Sequence, residues 1–130
     1  MNFITKHILK TIAVLAIVFS CSSNSETTQE DDLAVLNDLK QAIELLIAEG
    51  TCTENESCDF IAFGSKACGG PKSYLVFNTS IDVELLHEKV STYNEMEAEY
   101  NLKWGIISDC MFLLPPTNVE CVDGQCKAIY

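Results

Sequence analysis

The chain has 130 residues, with eight lysines and no arginine against 19 aspartates and glutamates, for a formal charge of −11. That length suits one domain plus short appendages. The charge argues against nucleic acid, whose recognition uses Lys and Arg to neutralise phosphates, and against a basic membrane-surface patch.

Residues 1–20 read as an export signal. Lys6, His7 and Lys10 give a basic start, and Thr11 to Phe19 is an uninterrupted, mostly apolar run of nine residues. A membrane-spanning helix needs about 20 residues, so this run fits the hydrophobic region of a secretory signal. A small residue, Ser20, precedes Cys21. The run Val18-Phe19-Ser20-Cys21 resembles the lipobox of bacterial lipoproteins. That resemblance implies a cut before Cys21, a diacylglycerol on its sulfur and an acyl chain such as palmitate on the new amine. It implies a cell-envelope protein whose partner is the lipid bilayer. Ser22 stands where an inner-membrane retention signal carries Asp, which points to the outer membrane of a Gram-negative bacterium. The alternative is an ordinary secretory signal cut nearby, with Cys21 incidental.

Removing residues 1–20 leaves six lysines and all 19 acids, a formal charge of −13 on 110 residues. Such a surface promotes solubility and repels anionic neighbours. Of seven cysteines, assigning Cys21 to lipid leaves Cys52, Cys58, Cys68, Cys110, Cys121 and Cys126. An even number in an oxidising compartment predicts three disulfides.

Residues 21–31 are expected to form the lipidated Cys21 and a flexible tether, because Ser22 to Glu30 holds no apolar residue. The folded domain is then 32–130. Asp31 and Asp32 favour a helix start. Leu33, Leu36, Leu39, Ile43 and Leu46 recur at helical steps, so a helix is predicted over 32–49 with Gly50 as its C-terminal cap. Strands are predicted over 59–63 and 73–78, with a punctuated loop between them. Thr79, Ser80 or Asp82 caps a second helix over 82–102. Its stripe runs through Val83, Leu86, Val90, Tyr93, Met96 and Tyr100, with Glu97 at the edge. Ile106 to Leu113 reads as a strand ended by Pro115-Pro116. Val119–Val122 and Gln125–Ile129 read as a hairpin around Asp123-Gly124. The fold class is α+β: a small disulfide-stapled domain with two helices on one face of an antiparallel sheet of four or five strands.

From Cys52 onward the layout also resembles a loosely defined group of exported bacterial domains. The matching features are Cys52-x5-Cys58, Gly64-x3-Cys68-Gly69-Gly70-Pro71 with Tyr74 behind it, Cys110, and Cys121 with Cys126 around a glycine. The resemblance implies a stapled fold and no particular activity.

Three constellations bear on chemistry. Cys52, Cys58, Cys121 and Cys126 lie near zinc-ligand spacing, but disulfides are the expected state. Glu54, Glu56 and Asp59 cluster without the regular spacing of a calcium loop and read as a solvated acidic loop. His87 is the only histidine after Cys21, and an even cysteine count leaves it no thiol partner. No catalytic residue, metal or other cofactor is expected. Asp123-Gly124 places Cys121 opposite Cys126, so that pair is favoured. Cys52–Cys58 is a local bond of similar weight, which leaves Cys68–Cys110.

The candidate binding loop is Gly64–Lys72, with Lys66, Gly69, Gly70, Pro71 and Lys72. It offers a basic spot on an acidic chain, and loops held by a rigid scaffold are frequent binding sites. Trp104 and Met111 to Leu114 are expected to pack in the core, with an exposed patch as the alternative. The favoured reading is a non-enzymatic, membrane-anchored envelope lipoprotein acting as a binding or structural module for an unidentified protein or small molecule. The alternative is a small protease inhibitor presenting Lys66-Ala67 from the same loop.

Overall fold

The structure, a computed structural model, describes residues 26–53 and 57–130. The export segment, Cys21, the first part of the tether, Glu54 and Glu56 lie outside the described residues. Helix α1 spans Gln29–Ala48. It starts earlier than the acidic pair suggests because Thr28 caps it. The Asp31 backbone N–H donates to Thr28 Oγ1 at 3.2 Å, and the Thr28 N–H donates to the Asp31 carboxylate at 3.0 Å. This reciprocal capping box satisfies two end donors at once. The last three residues expected in the tether, Gln29 to Asp31, are therefore helical. At the other end the cap is Glu49, not Gly50. Gly50 instead permits close approach: a Cβ there would meet Ile81 Cγ2 at 2.8 Å and Asn78 Cβ at 3.0 Å.

Strands β1 (Cys58–Phe63) and β2 (Ser73–Asn78) pair antiparallel, from Cys58 opposite Asn78 to Phe63 opposite Ser73. Helix α2 spans Val83–Trp104. Asp82 caps its start by accepting from the Leu85 N–H at 2.9 Å, and Gly105 closes it in the left-handed conformation, φ 60°. Leu36, Ile43 and Leu46 of α1 and Leu86, Val90 and Tyr93 of α2 are buried with Phe63 and Phe77 in one core. The Phe63 and Tyr93 rings stack at 4.4 Å. Leu33, expected on the buried stripe, is largely exposed.

Strands β3 (Asn118–Val122) and β4 (Gln125–Ile129) form a separate hairpin. Its two turn residues have positive φ, 53° at Asp123 and 77° at Gly124, as a tight primed turn requires. The chain is thus α+β with two small two-stranded antiparallel sheets, not one sheet of four or five strands. Ile106 to Leu113 is not a strand. Its residues suit a strand, but no edge pairs with it, and Pro115 and Pro116 have no N–H to donate.

Three disulfides staple this frame: Cys52–Cys121, Cys58–Cys126 and Cys68–Cys110. The third is the bond expected; the other two replace the local pairs. Cys121 and Cys126 do face each other across the hairpin, as the Asp-Gly turn predicts. Facing residues on neighbouring strands project from the same side, and here both reach to the segment carrying Cys52 and Cys58. Bonds across 69 and 68 residues remove far more unfolded-chain freedom than bonds within a turn.

The molecule has two distinct ends. At one, α1 finishes and the hairpin turn abuts it, with the Cys52 N–H donating to the Gly124 carbonyl at 3.2 Å. At the other, α1 begins, α2 finishes and the β1–β2 loop turns back.

Candidate functional site

The second end carries both loops of interest. α1 and α2 are locked there by charge. Lys103 Nζ lies 2.6 Å from an Asp32 carboxylate oxygen and 2.6 Å from Thr27 Oγ1, and Trp104 Nε1–H donates to the same Asp32 oxygen at 2.9 Å. The Lys103 hydrogen bond, followed by those from Thr27 and Trp104, holds the Asp32 carboxyl below its usual range. That contribution is present at neutral pH and lost as acid protonates Asp32. Trp104 therefore belongs to the helix lock rather than to a surface patch.

The loop Gly64–Lys72 is clamped along one line of α2. Asn94, Glu97 and Asn101 recur at three- and four-residue steps and share a face. The Gly64 N–H donates to Asn94 Oδ1 at 2.7 Å, and the Ser65 N–H donates to Glu97 Oε2 at 2.6 Å. Asn101 Nδ2 donates to the Ser65 carbonyl at 2.8 Å. On its other oxygen, Glu97 accepts from Lys72 Nζ at 2.8 Å and from the Tyr93 hydroxyl at 3.2 Å. Gly64 is required here twice over. Its φ is +79°, and a Cβ would lie 3.0 Å from both Glu97 Oε2 and Lys72 Cβ. Glu97, expected at the edge of the stripe, is buried. The sequence signal was three polar residues at helical spacing along an apolar face.

Beyond the clamp the loop turns on itself: the Lys66 N–H donates to the Gly70 carbonyl and the Gly69 N–H to the Lys66 carbonyl, both at 2.9 Å. Gly69 and Gly70 form an exposed tip, each at positive φ with open space around it. Pro71 is half-buried. Lys66 is not presented to solvent. Its side chain is only 13% exposed, with Nζ 2.7 Å from Asp109 and 2.8 Å from the Met111 carbonyl. The Lys66 hydrogen bond and charge hold the Asp109 carboxyl below its usual range. The expected basic spot is thus two committed ion pairs, Lys66–Asp109 and Lys72–Glu97.

Cys68–Cys110 and Lys66–Asp109 tie this loop to residues 105–117. That second loop overturns the core-packing expectation. Ile107, Met111, Phe112 and Leu114 are exposed, with Ile107 at 92% and Phe112 at 83%. Leu102, on the last turn of α2, is 84% exposed. Only Leu113 of the Met111–Leu114 run is half-buried.

Among the described residues, the remaining candidates lie apart from this end of the molecule or are held in disulfides. His87 sits on the exposed side of α2, edge-on to Phe77 at 6.5 Å. All six cysteines of the described residues are in disulfides. The Sγ atoms of Cys52, Cys58 and Cys126 lie within 4.8 Å of one another, but as disulfide sulfurs they offer no thiolate to a metal. No protein-family model, curated protein or solved structure matches the chain. Among the described residues, no helix is long and apolar enough to cross a membrane.

The clamp carries a pH dependence. Burial, then the neighbouring Glu97 charge and hydrogen bond, push the Tyr93 hydroxyl up from 10 to about 12. A folded value above the unfolded one means that the folded state keeps the proton longer. The contribution is intact below pH 10 and is lost as pH rises towards 12. The urea midpoint of the wild type should fall across that window, and Tyr93→Phe should flatten the fall. Identical pH profiles for the two proteins would remove Tyr93 as the titrating group.

Proposed function

We propose that the chain is an exported lipoprotein, cut before Cys21 and acylated there, whose stapled domain is a non-enzymatic binding or structural module of the cell envelope. The outer membrane of a Gram-negative bacterium is the proposed location. One observation carries the reading: the six cysteines after Cys21 pair among themselves. No cysteine of the described residues is left over to pair with Cys21, which supports its assignment to lipid. The binding surface on this reading is the end that holds the Gly64–Lys72 loop and the apolar loop beside it. The protease-inhibitor alternative needs Lys66 to enter a protease pocket, and the Asp109 carboxylate and Met111 carbonyl hold that ammonium back.

Each buried methylene contributes about 0.8 kcal/mol, and one acyl chain alone binds only marginally, so two or more chains make a firm anchor. Cys21→Ala should therefore move nearly all of the protein from the membrane to the soluble fraction. Mass spectrometry of the wild-type N-terminal peptide should show the acyl groups. A Cys21→Ala protein that remains membrane-bound after its signal is removed would sink the reading.

A further inference from the structure

We propose that the apolar loop is a second membrane contact: Ile107, Met111 and Phe112 rest among the lipid acyl chains of the bilayer that holds the acylated Cys21. The inference rests on the lipoprotein reading and specifies how the domain sits on its membrane.

The anchored chain enters the domain beside the last turn of α2. Thr27 accepts from Lys103 on the last turn of α2. Cys21 is six residues earlier, and extended chain covers at most about 3.6 Å per residue, so Thr27 stays within roughly 22 Å of the anchor. The end of the molecule where α2 finishes is therefore the end that the tether keeps within reach of the bilayer.

The most exposed apolar side chains begin at the same place. Leu102 is one residue before Lys103, and Ile107 is three after Trp104; both are almost fully open to solvent. The loop then carries Met111 and Phe112, also exposed. It is not free to fold back, because Cys110 is bonded to Cys68 and Asp109 to Lys66. Large apolar side chains kept in water on a pinned loop mark an interaction surface. Here the tether supplies the neighbour: an anchored domain meets the bilayer at high effective concentration, so a contact too weak to recruit the domain alone is populated.

Charge indicates the mode of docking. The cations near this loop, Lys66, Lys72 and Lys103, are each paired with an acid. With a formal charge of −13 after Cys21, the domain gains nothing from anionic headgroups. The contact is apolar insertion, strongest on neutral lipid.

The test uses full-length protein purified from membranes and reconstituted in phosphatidylcholine vesicles. Trp104 is the only tryptophan, so Trp104→Phe with Phe112→Trp places a single reporter on the loop. Brominated acyl chains should quench its emission roughly twofold, as for an amphipathic side chain buried at the headgroup–acyl boundary. Anionic lipid should leave the quenching unchanged or reduce it. The unmodified wild type gives an independent measurement: a photoactivatable lipid should label residues 107–114 above the rest of the domain. An acylated, vesicle-bound protein whose reporter is unquenched and whose loop is unlabelled overturns the docking alone. A blue-shifted but unquenched reporter that depends on protein concentration also overturns it, because a second copy would then cover the loop. A chain recovered without acyl mass overturns the anchor and the docking together.

Discussion

Glu97→Ala should lower the stability of the domain by about 3 kcal/mol, the usual cost of removing one partner from a buried ion pair. The substitution leaves the Ser65 N–H and the Tyr93 hydroxyl without their acceptor and Lys72 without its counterion. Each buried polar group stranded in this way costs about 1–3 kcal/mol. The Lys72 share is smaller, because its side chain is 44% exposed while that of Glu97 is 9% exposed. Lys72→Ala should therefore cost well under half as much. Glu97→Gln, which keeps an acceptor for Ser65, should fall between the two. Urea unfolding of the three variants gives the order directly. Hydrogen exchange should show Ser65 to Gly70 losing protection first in Glu97→Ala. Equal effects from Glu97→Ala and Lys72→Ala would mean that the ion pair, and not the clamp on Ser65, carries the energy.

The second large effect concerns the C-terminal hairpin. Replacing Cys52, Cys58, Cys121 and Cys126 together with alanine removes two long loop closures. The first is worth roughly 4 kcal/mol from chain entropy, and the second adds less because it runs beside the first. The loss should be local. No residue of β3 or β4 belongs to the buried core, which is built from α1, α2, β1 and β2. A two-stranded hairpin by itself is marginal in water. Amides of Val119 to Ile129 should exchange at nearly unprotected rates, while those around Ile43 and Val90 remain protected. Loss of protection throughout the chain would show that the hairpin is part of one cooperative unit.

Both effects involve features only partly legible in the sequence. The helices were legible because Leu36, Ile43 and Leu46, and Leu86, Val90 and Tyr93, repeat at the helical period. The hairpin was legible because Asp-Gly favours the positive φ that a tight turn needs. The strand expected at Ile106 to Leu113 failed for a physical reason: side-chain composition reports fitness for a sheet, not the presence of an edge to join. The lysines show the same limit. Lys66 and Lys72 stand beside a glycine-rich loop in sequence, but their counterions lie 43 and 25 residues away, and only the fold brings them together. The cysteines show the limit most clearly. Local geometry put Cys121 opposite Cys126, yet the bonds go to partners across the domain.

That connectivity sets a problem of timing. On the exported reading a chain emerges N-terminus first, so Cys52 and Cys58 would appear together long before either partner. Oxidation in order of appearance would join them to each other. Cys68 and Cys110, enclosed by both long loops, can find each other earlier than either outer bond can close. The two outer pairs wait for Cys121 and Cys126. A premature bond between the first two cysteines must be undone by thiolate attack on the disulfide. On the proposed exported reading, maturation of this domain calls for disulfide exchange and not only for oxidation.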